Sequence, residues 1–348
     1  MRLAVLLLGA YCAVATGQNA CLSDASKCTP GDTSITFQGC GITNADIPEL
    51  ESCLDTVGRS NIALLFLTNN ELSTLPTDFF EEMGALTILG LTGNQFTSIP
   101  AGISGVESLN ALFMGGNQVT SIYEDDLPQT LKELHLAENL VTSIDDIFFP
   151  PSLEYLILDD SDLHTISSSA FDNLGSLLEL EMSYSSIESI EAGAFKDLVS
   201  LERINLRGNL LETLPSNLFA ASEQLTYLDL AKNQLAKLPV DAFAGLSSAQ
   251  KIYLHNNALT TLPEGILKDL GGGEDGSLFS LSLFDNPDLQ CVPEVYLSEN
   301  PFGSAAYTSV SDIDASLGIC GCTPVDAVAC PVGTTCAPGE EGYTCEED

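Results

Sequence analysis

Between Ile62 and Asn286 one pattern returns ten times, and no fold with a single closed core can satisfy it. In Leu201–Ser222, LERINLRGNLLETLPSNLFAAS, apolar residues stand at Leu201, Ile204, Leu206, Leu211, Leu214 and Phe219, with Asn209 between the two groups. Ile204 and Leu206 alternate with Arg203, Asn205 and Arg207, the period of a short strand with one face inward. Leu211, Leu214 and Phe219 then bring the chain back around a narrow core. One such coil cannot bury its own apolar face, so it must stack on copies of itself. The copies start at Ile62, Leu86, Leu109, Leu131, Leu153, Leu177, Leu201, Leu225, Ala249 and Leu278. Their turn residues are Asn70, Asn94, Asn117, Asn139, Ser161, Ser185, Asn209, Asn233, Asn257 and Asn286, spaced by 22 to 24 residues except for a last gap of 29. Gly271–Gly276 lengthens that last return and reads as a flexible insertion.

The spelling L-x-x-L-x-L-x-x-N-x-L with an LPxxxF tail resembles the leucine-rich repeat family, in its roughly 24-residue extracellular subtype. The resemblance implies an α/β solenoid: a leucine-rich repeat horseshoe with a parallel β-sheet on the concave face and disulfide-capped ends. It also implies that the Asn209 amide bonds main-chain groups of adjacent coils. Ser161 and Ser185 depart from the pattern; a hydroxyl makes fewer bonds than an amide, which predicts a locally loosened ladder. The column Phe79 or Phe80, Phe171, Phe195, Phe219 and Phe243 reads as stacked core.

The expected organisation has five parts. Residues 1–17 read as a signal peptide: Arg2, an apolar run from Leu3, and a small-residue cleavage site at Ala15-Thr16-Gly17. The run is too short to span a membrane. Residues 18–61 form a cysteine-rich N-terminal cap, which the first coil needs because its apolar end and strand edge are open. Cys21, Cys28, Cys40 and Cys53 lack the paired spacing of a zinc site, and their disulfide connectivity stays open among three possibilities. Ile35-Thr36-Phe37 could supply a capping strand and Ile47 to Val57 a short helix. The ten repeats occupy 62–290, and 291–321 resembles a C-terminal cap. Residues 322–348 resemble a truncated EGF-like segment. If that family's pairing holds, Cys322 joins Cys336 and Cys330 joins Cys345, which leaves Cys291 for Cys320. Ten cysteines outside the leader point to an oxidising, extracellular compartment.

The chain carries 49 acidic and 11 basic residues, for a formal net charge of −38. That balance argues against nucleic acid as a partner. On the strands, repeats one to three offer small and apolar residues outward, such as Leu64, Phe66 and Ile88, and repeats four to six offer acidic ones with Tyr155 and Tyr184. Repeats seven to nine offer Arg203, Asn205, Arg207, Tyr227, Asp229, Lys232, Lys251, Tyr253 and His255. Arg and Tyr are the types that anchor protein interfaces, so this stretch is the expected partner-binding region. Stacking in register should set Arg207, Lys232 and Lys251 beside one another. The opposing reading is that these cations only offset Glu202, Asp229 and the acidic surroundings.

Acidic clusters such as Asp159-Asp160-Ser161-Asp162 lack the spacing of a calcium loop, so no metal is expected. No cofactor motif and no nucleophile or metal-ligand arrangement surrounds His135, His164 or His255, which points away from an enzyme. The function expected from sequence is secreted, non-catalytic recognition of a protein or peptide partner on the concave face. A structural or adhesive role in an extracellular matrix or cell wall is the alternative.

Overall fold

The computed structural model describes residues 19, 21–123 (Ala25 by backbone alone), 125–145, 147–263, 265–267, 270 and 280–289, together with the backbone of four strands from 291 onward. The leader at 1–17 and the glycine-rich insertion at 271–276 lie outside them. The chain folds as a parallel-strand solenoid and groups into two compact units, Met1–Thr142 with Asp146–Ser161, and Ser143–Asp145 with Asp162–Asp348.

The first unit opens with a cap. Strand β1 (Ser34–Thr36) pairs in parallel with β2 (Leu64–Phe66), setting Ile35 opposite Leu65. Helix α1 (Ile47–Val57) has Pro48 in its first turn and ends at Gly58, whose φ of +91 suits glycine. Its buried residues Ile47, Leu50, Cys53, Leu54 and Val57 follow the helical period, so one face seals the end of the core. Disulfides join Cys21 to Cys40 and Cys28 to Cys53, which settles the connectivity. Strands β3 (Ile88–Gly90), β4 (Ala111–Phe113), β5 (Glu133–His135) and β6 (Tyr155–Ile157) continue the parallel sheet. Leu65, Leu89, Leu112, Leu134 and Leu156 are register partners, so the central leucine of every strand enters one continuous core.

The second unit repeats this plan with β8 (Glu179–Glu181), β10 (Arg203–Asn205), β11 (Tyr227–Asp229), β12 (Lys251–Tyr253) and β13 (Ser280–Ser282). Leu180, Ile204, Leu228, Ile252 and Leu281 align across it. Away from that sheet, the two-residue strands β7 (Thr165–Ile166) and β9 (Ser189–Ile190) pair with each other. Behind the strands, Phe171, Phe195 and Phe219 stack at 5.9 and 5.8 Å between ring centres, all buried. Further on, β14 (Cys291–Pro293) pairs in parallel with β15 (Gly318–Cys320), and β16 (Thr334–Gly339) forms an antiparallel hairpin with β17 (Gly342–Glu347). The cystine pairings expected for Cys291, Cys320, Cys322, Cys330, Cys336 and Cys345 fall outside the described side chains.

A column of buried amides stitches the coils. Asn209 donates to the carbonyls of Met182, in the preceding coil, and Leu206, in its own; its Oδ1 accepts from the N–H groups of Ser185 and Ile187. Asn233 and Asn257 repeat the arrangement. In the first unit Asn70 extends it into the cap, accepting from Cys40 and Ile42 and donating to Phe37. The two serines are buried as well: the Ser161 hydroxyl donates to Leu158 and that of Ser185 to Ser183, each within its own coil.

Candidate functional site

The register sorts the expected binding residues of the second unit into rows. Arg203, Tyr227 and Lys251 are partners in one row, and Asn205, Asp229 and Tyr253 in the next. Arg207, Lys232 and His255 come after the strands, where the chain turns away.

These residues do not all face the same task. Arg203 lies with its guanidinium 3.6 Å from the centre of the Tyr227 ring, and its Nε is 2.7 Å from Glu181 and 3.2 Å from Glu179. Drawing it toward a ligand would forfeit two charge-assisted contacts, about 1.5–3 kcal/mol each. Arg203 therefore builds the face rather than docking on it. Tyr227 is half-buried beneath it; burial and the nearby Asp229 carboxylate push its phenol above the ordinary value. Asn205 and Asp229 perform one local job, each accepting from the N–H two residues on, of Arg207 at 3.1 Å and Ala231 at 2.9 Å, as the strand ends. The cations are offset by Glu179, Glu181 and Asp229; Glu202 takes no part among the described residues. Lys251 is exposed, lies in the Arg203 row away from Arg207 and Lys232, and makes no ion pair among the described residues. Tyr253 packs on Tyr227 at 5.4 Å and meets His255 edge-on at 5.9 Å.

His255 is buried and stacks on Phe284, ring centres 4.3 Å apart. Its Nε2 lies 3.1 Å from Arg207 Nη1 and its Nδ1 lies 3.3 Å from Ser282 Oγ. A guanidinium can only donate, so Nε2 must accept and Nδ1 carries the proton. Burial first, then the Arg207 charge, holds the imidazole below its ordinary value, with Lys232 acting the same way and Asp229 and Asp285 opposing. The depressed value means that the unfolded chain takes up the proton more readily. His255 thus contributes stability that is fully present above about pH 6.5 and is lost as the pH falls through the lower folded value. Urea midpoints measured from pH 8 to 5 should fall below pH 6.5, and His255→Gln should lessen that fall; an identical pH profile would refute the assignment.

The residue that sequence reasoning placed elsewhere is Tyr184. It belongs to the preceding, acidic coil, yet its hydroxyl accepts from Arg207 Nε at 3.4 Å and Lys232 Nζ at 3.5 Å. The bond from Arg207, with help from Lys232, holds its phenol below the ordinary value. The signal was positional. The residue just before each ladder Asn or Ser is left-handed in every coil: Asn69, Gly93, Gly116, Glu138, Asp160, Tyr184, Gly208, Lys232, Asn256 and Asp285. Tyr184, Gly208 and Lys232 are consecutive members of that column. Tyr184 reaches Lys232 because Gly208, between them, has no side chain: a Cβ there would stand 2.5 Å from the Tyr184 ring. Gly208→Ala should cost about 1–2 kcal/mol, from a φ of +72 and the displaced ring, and should raise the Tyr184 phenol toward its ordinary value, read by ultraviolet titration. An unchanged titration would show that the ring does not need the glycine.

The repeats are shared with known proteins. The family profile described as "Leucine rich repeat" matches residues 60–119, 129–184, 151–211, 177–235 and 223–287, well over half of the chain. Pig (Sus scrofa) fibromodulin is 33% identical over 127 residues, 35% of this chain and 85% of that sequence. Bovine (Bos taurus) lumican is 34% identical over 129 residues, which span 35% of this chain but 36% of lumican. Among solved structures, one chain of an octameric complex of latrophilin 3, Unc5D and FLRT2 superposes with a TM-score of 0.61 at 22% identity, covering 78% of this chain and 79% of the other. A chain of the TLR13–ssRNA13 complex gives 0.63 at 23% identity, over 74% of this chain and 42% of the other. At these identities the structures speak to the fold alone.

Proposed function

We infer that this chain, which belongs to the leucine-rich repeat family, is an extracellular recognition protein without catalytic activity that binds a protein or peptide partner on the outward strand face of its second unit. The observation behind this reading is the division of labour on that face. Arg203, Asn205 and Asp229 are spent on holding the strands, whereas Lys251, Tyr253, Lys232 and Tyr184 stand outward with side chains that the solenoid does not need for stacking. The two tyrosines give rigid contact area, and the two lysines, which make no ion pair among the described residues, give direction. A protein fits better than RNA, because a chain of net charge −38 repels a phosphate backbone over any distance that salt does not screen. Of the two structures above, one is a complex with other proteins and one a complex with RNA, so the fold itself permits either. The disulfides of the cap and the leader-like residues 1–17 support export.

The test is capture from the native extracellular medium. A stoichiometric soluble protein should be retained by the wild-type chain and lost on Tyr253→Ala with Lys251→Ala, two outward changes that leave the amide ladder intact. If the chain instead partitions into insoluble material and the double variant does so equally, a structural role in matrix or cell wall replaces this reading.

A further inference from the structure

We propose that Tyr184, Arg207 and Lys232 form a notch for one carboxylate, an Asp or Glu side chain presented by a protein partner. The proposal rests on the recognition reading above and names the chemistry of that same face. Two cationic donors from different coils, Arg207 Nε and Lys232 Nζ, already aim at one oxygen, the Tyr184 hydroxyl. With that oxygen accepting from both, its own O–H and the two remaining N–H groups of Lys232 are left to donate, beside the Arg207 charge, and a carboxylate is the group that accepts from such donors. Lys232 has no carboxylate partner among the described residues. In a chain of 49 acidic to 11 basic residues, Arg59, Lys132, Lys196 and Arg203 are ion-paired, while Lys232 shares the lack of such a pair with Lys237 and Lys251 among the described residues.

Backbone conformation gives a second, independent observation. The left-handed column is filled by Gly, Asn or Asp in seven of its ten members, the residues that tolerate such a φ. Tyr184 and Lys232, with φ of +53 and +56, are two of the other three, and both reach the notch. Strained residues of unfavourable type collect where a site needs their side chains. Gly208 lies between them and keeps the ring in place. A sulfated polysaccharide fits less well. Glu179 and Glu181 beside Arg203, and Asp229 beside Arg207, would repel the next charges along a polyanion.

Two tripeptides test this, acetyl-Phe-Glu-Phe-amide and its Gln analogue, titrated calorimetrically at physiological salt, where charges beyond about 8 Å are screened. The Glu peptide should bind about ten-fold more tightly than the Gln peptide. Lys232→Asn should abolish that preference without lowering the melting temperature, because Asn suits the left-handed site, and Lys232→Arg should keep it. Lys237→Asn, an exposed cation outside the notch, should change nothing. Equal affinities for the two peptides, including no binding of either, overturn the notch, as does a preference that survives Lys232→Asn. A sulfated disaccharide that outcompetes the Glu peptide and depends on Lys232 overturns it in favour of a polyanion. If the captured partner is lost with the Tyr253 and Lys251 changes but held by Lys232→Asn, the notch alone fails and the recognition reading stands.

Discussion

Asn209→Ala is expected to remove about 4 kcal/mol of stability, although it deletes no apolar surface. The amide is buried to 2% exposure and serves four main-chain groups in two coils, the carbonyls of Met182 and Leu206 and the N–H groups of Ser185 and Ile187. Alanine takes the amide from all four in a space closed to solvent; the Leu206 carbonyl keeps its bond from Asn233, and each group left unmatched costs about 1–3 kcal/mol, less whatever relaxation and an admitted water recover. Asn205→Ala supplies the control, since Asn205 makes one such bond, to Arg207 N, on the half-exposed face. Its cost should stay near 1 kcal/mol. Because each coil touches only its neighbours, the loss should also be local: hydrogen exchange should quicken at Ser185 and Ile187 well before it does in the cap. A urea midpoint for Asn209→Ala no lower than that of Asn205→Ala would show that the ladder decorates the solenoid without holding it.

That ladder shows what could be read from the letters. Its period came from one residue type returning at a fixed distance, and the inward leucines came from alternation, because both depend on backbone geometry alone. The helix Ile47–Val57 and the capping strand were legible for the same reason; the structure begins that strand one residue earlier, at Ser34. Which cysteines paired was not, since any of three connectivities fits four spacings. The face was legible only in part. Sequence could place Arg203 and Arg207 on it but could not see that Glu179 and Glu181 reach from the neighbouring strand to hold Arg203 down. Nor could it see that Tyr184 leans across a glycine to meet cations one and two coils away. Those are side-chain directions, set by what the adjacent coil leaves open. The left-handed column could have been anticipated, since Asn69, Gly93, Gly116 and Gly208 all precede a ladder Asn, and its exceptions would then have pointed to Glu138, Tyr184 and Lys232.

Phe195→Ala is expected to cost about 4 kcal/mol as well. Phe195 is fully buried, between Phe171 and Phe219, and truncation leaves a cavity that neighbouring coils cannot close without slipping out of register. Cavity and lost transfer energy would alone account for most of the cost, so the alanine variant cannot say whether ring stacking matters. Leucine can. Phe243 occupies the equivalent place two coils on and is equally buried, but has no ring partner among the described residues. Phe195→Leu and Phe243→Leu remove nearly the same volume from nearly the same environment, and only the first breaks two ring contacts. Each aromatic pair contributes about 0.5–1.5 kcal/mol beyond its area, so Phe195→Leu should exceed Phe243→Leu by about 1–3 kcal/mol in urea denaturation. Equal costs would mean that the rings act only as volume, and that any residue large enough to fill the bend would stack these coils as well.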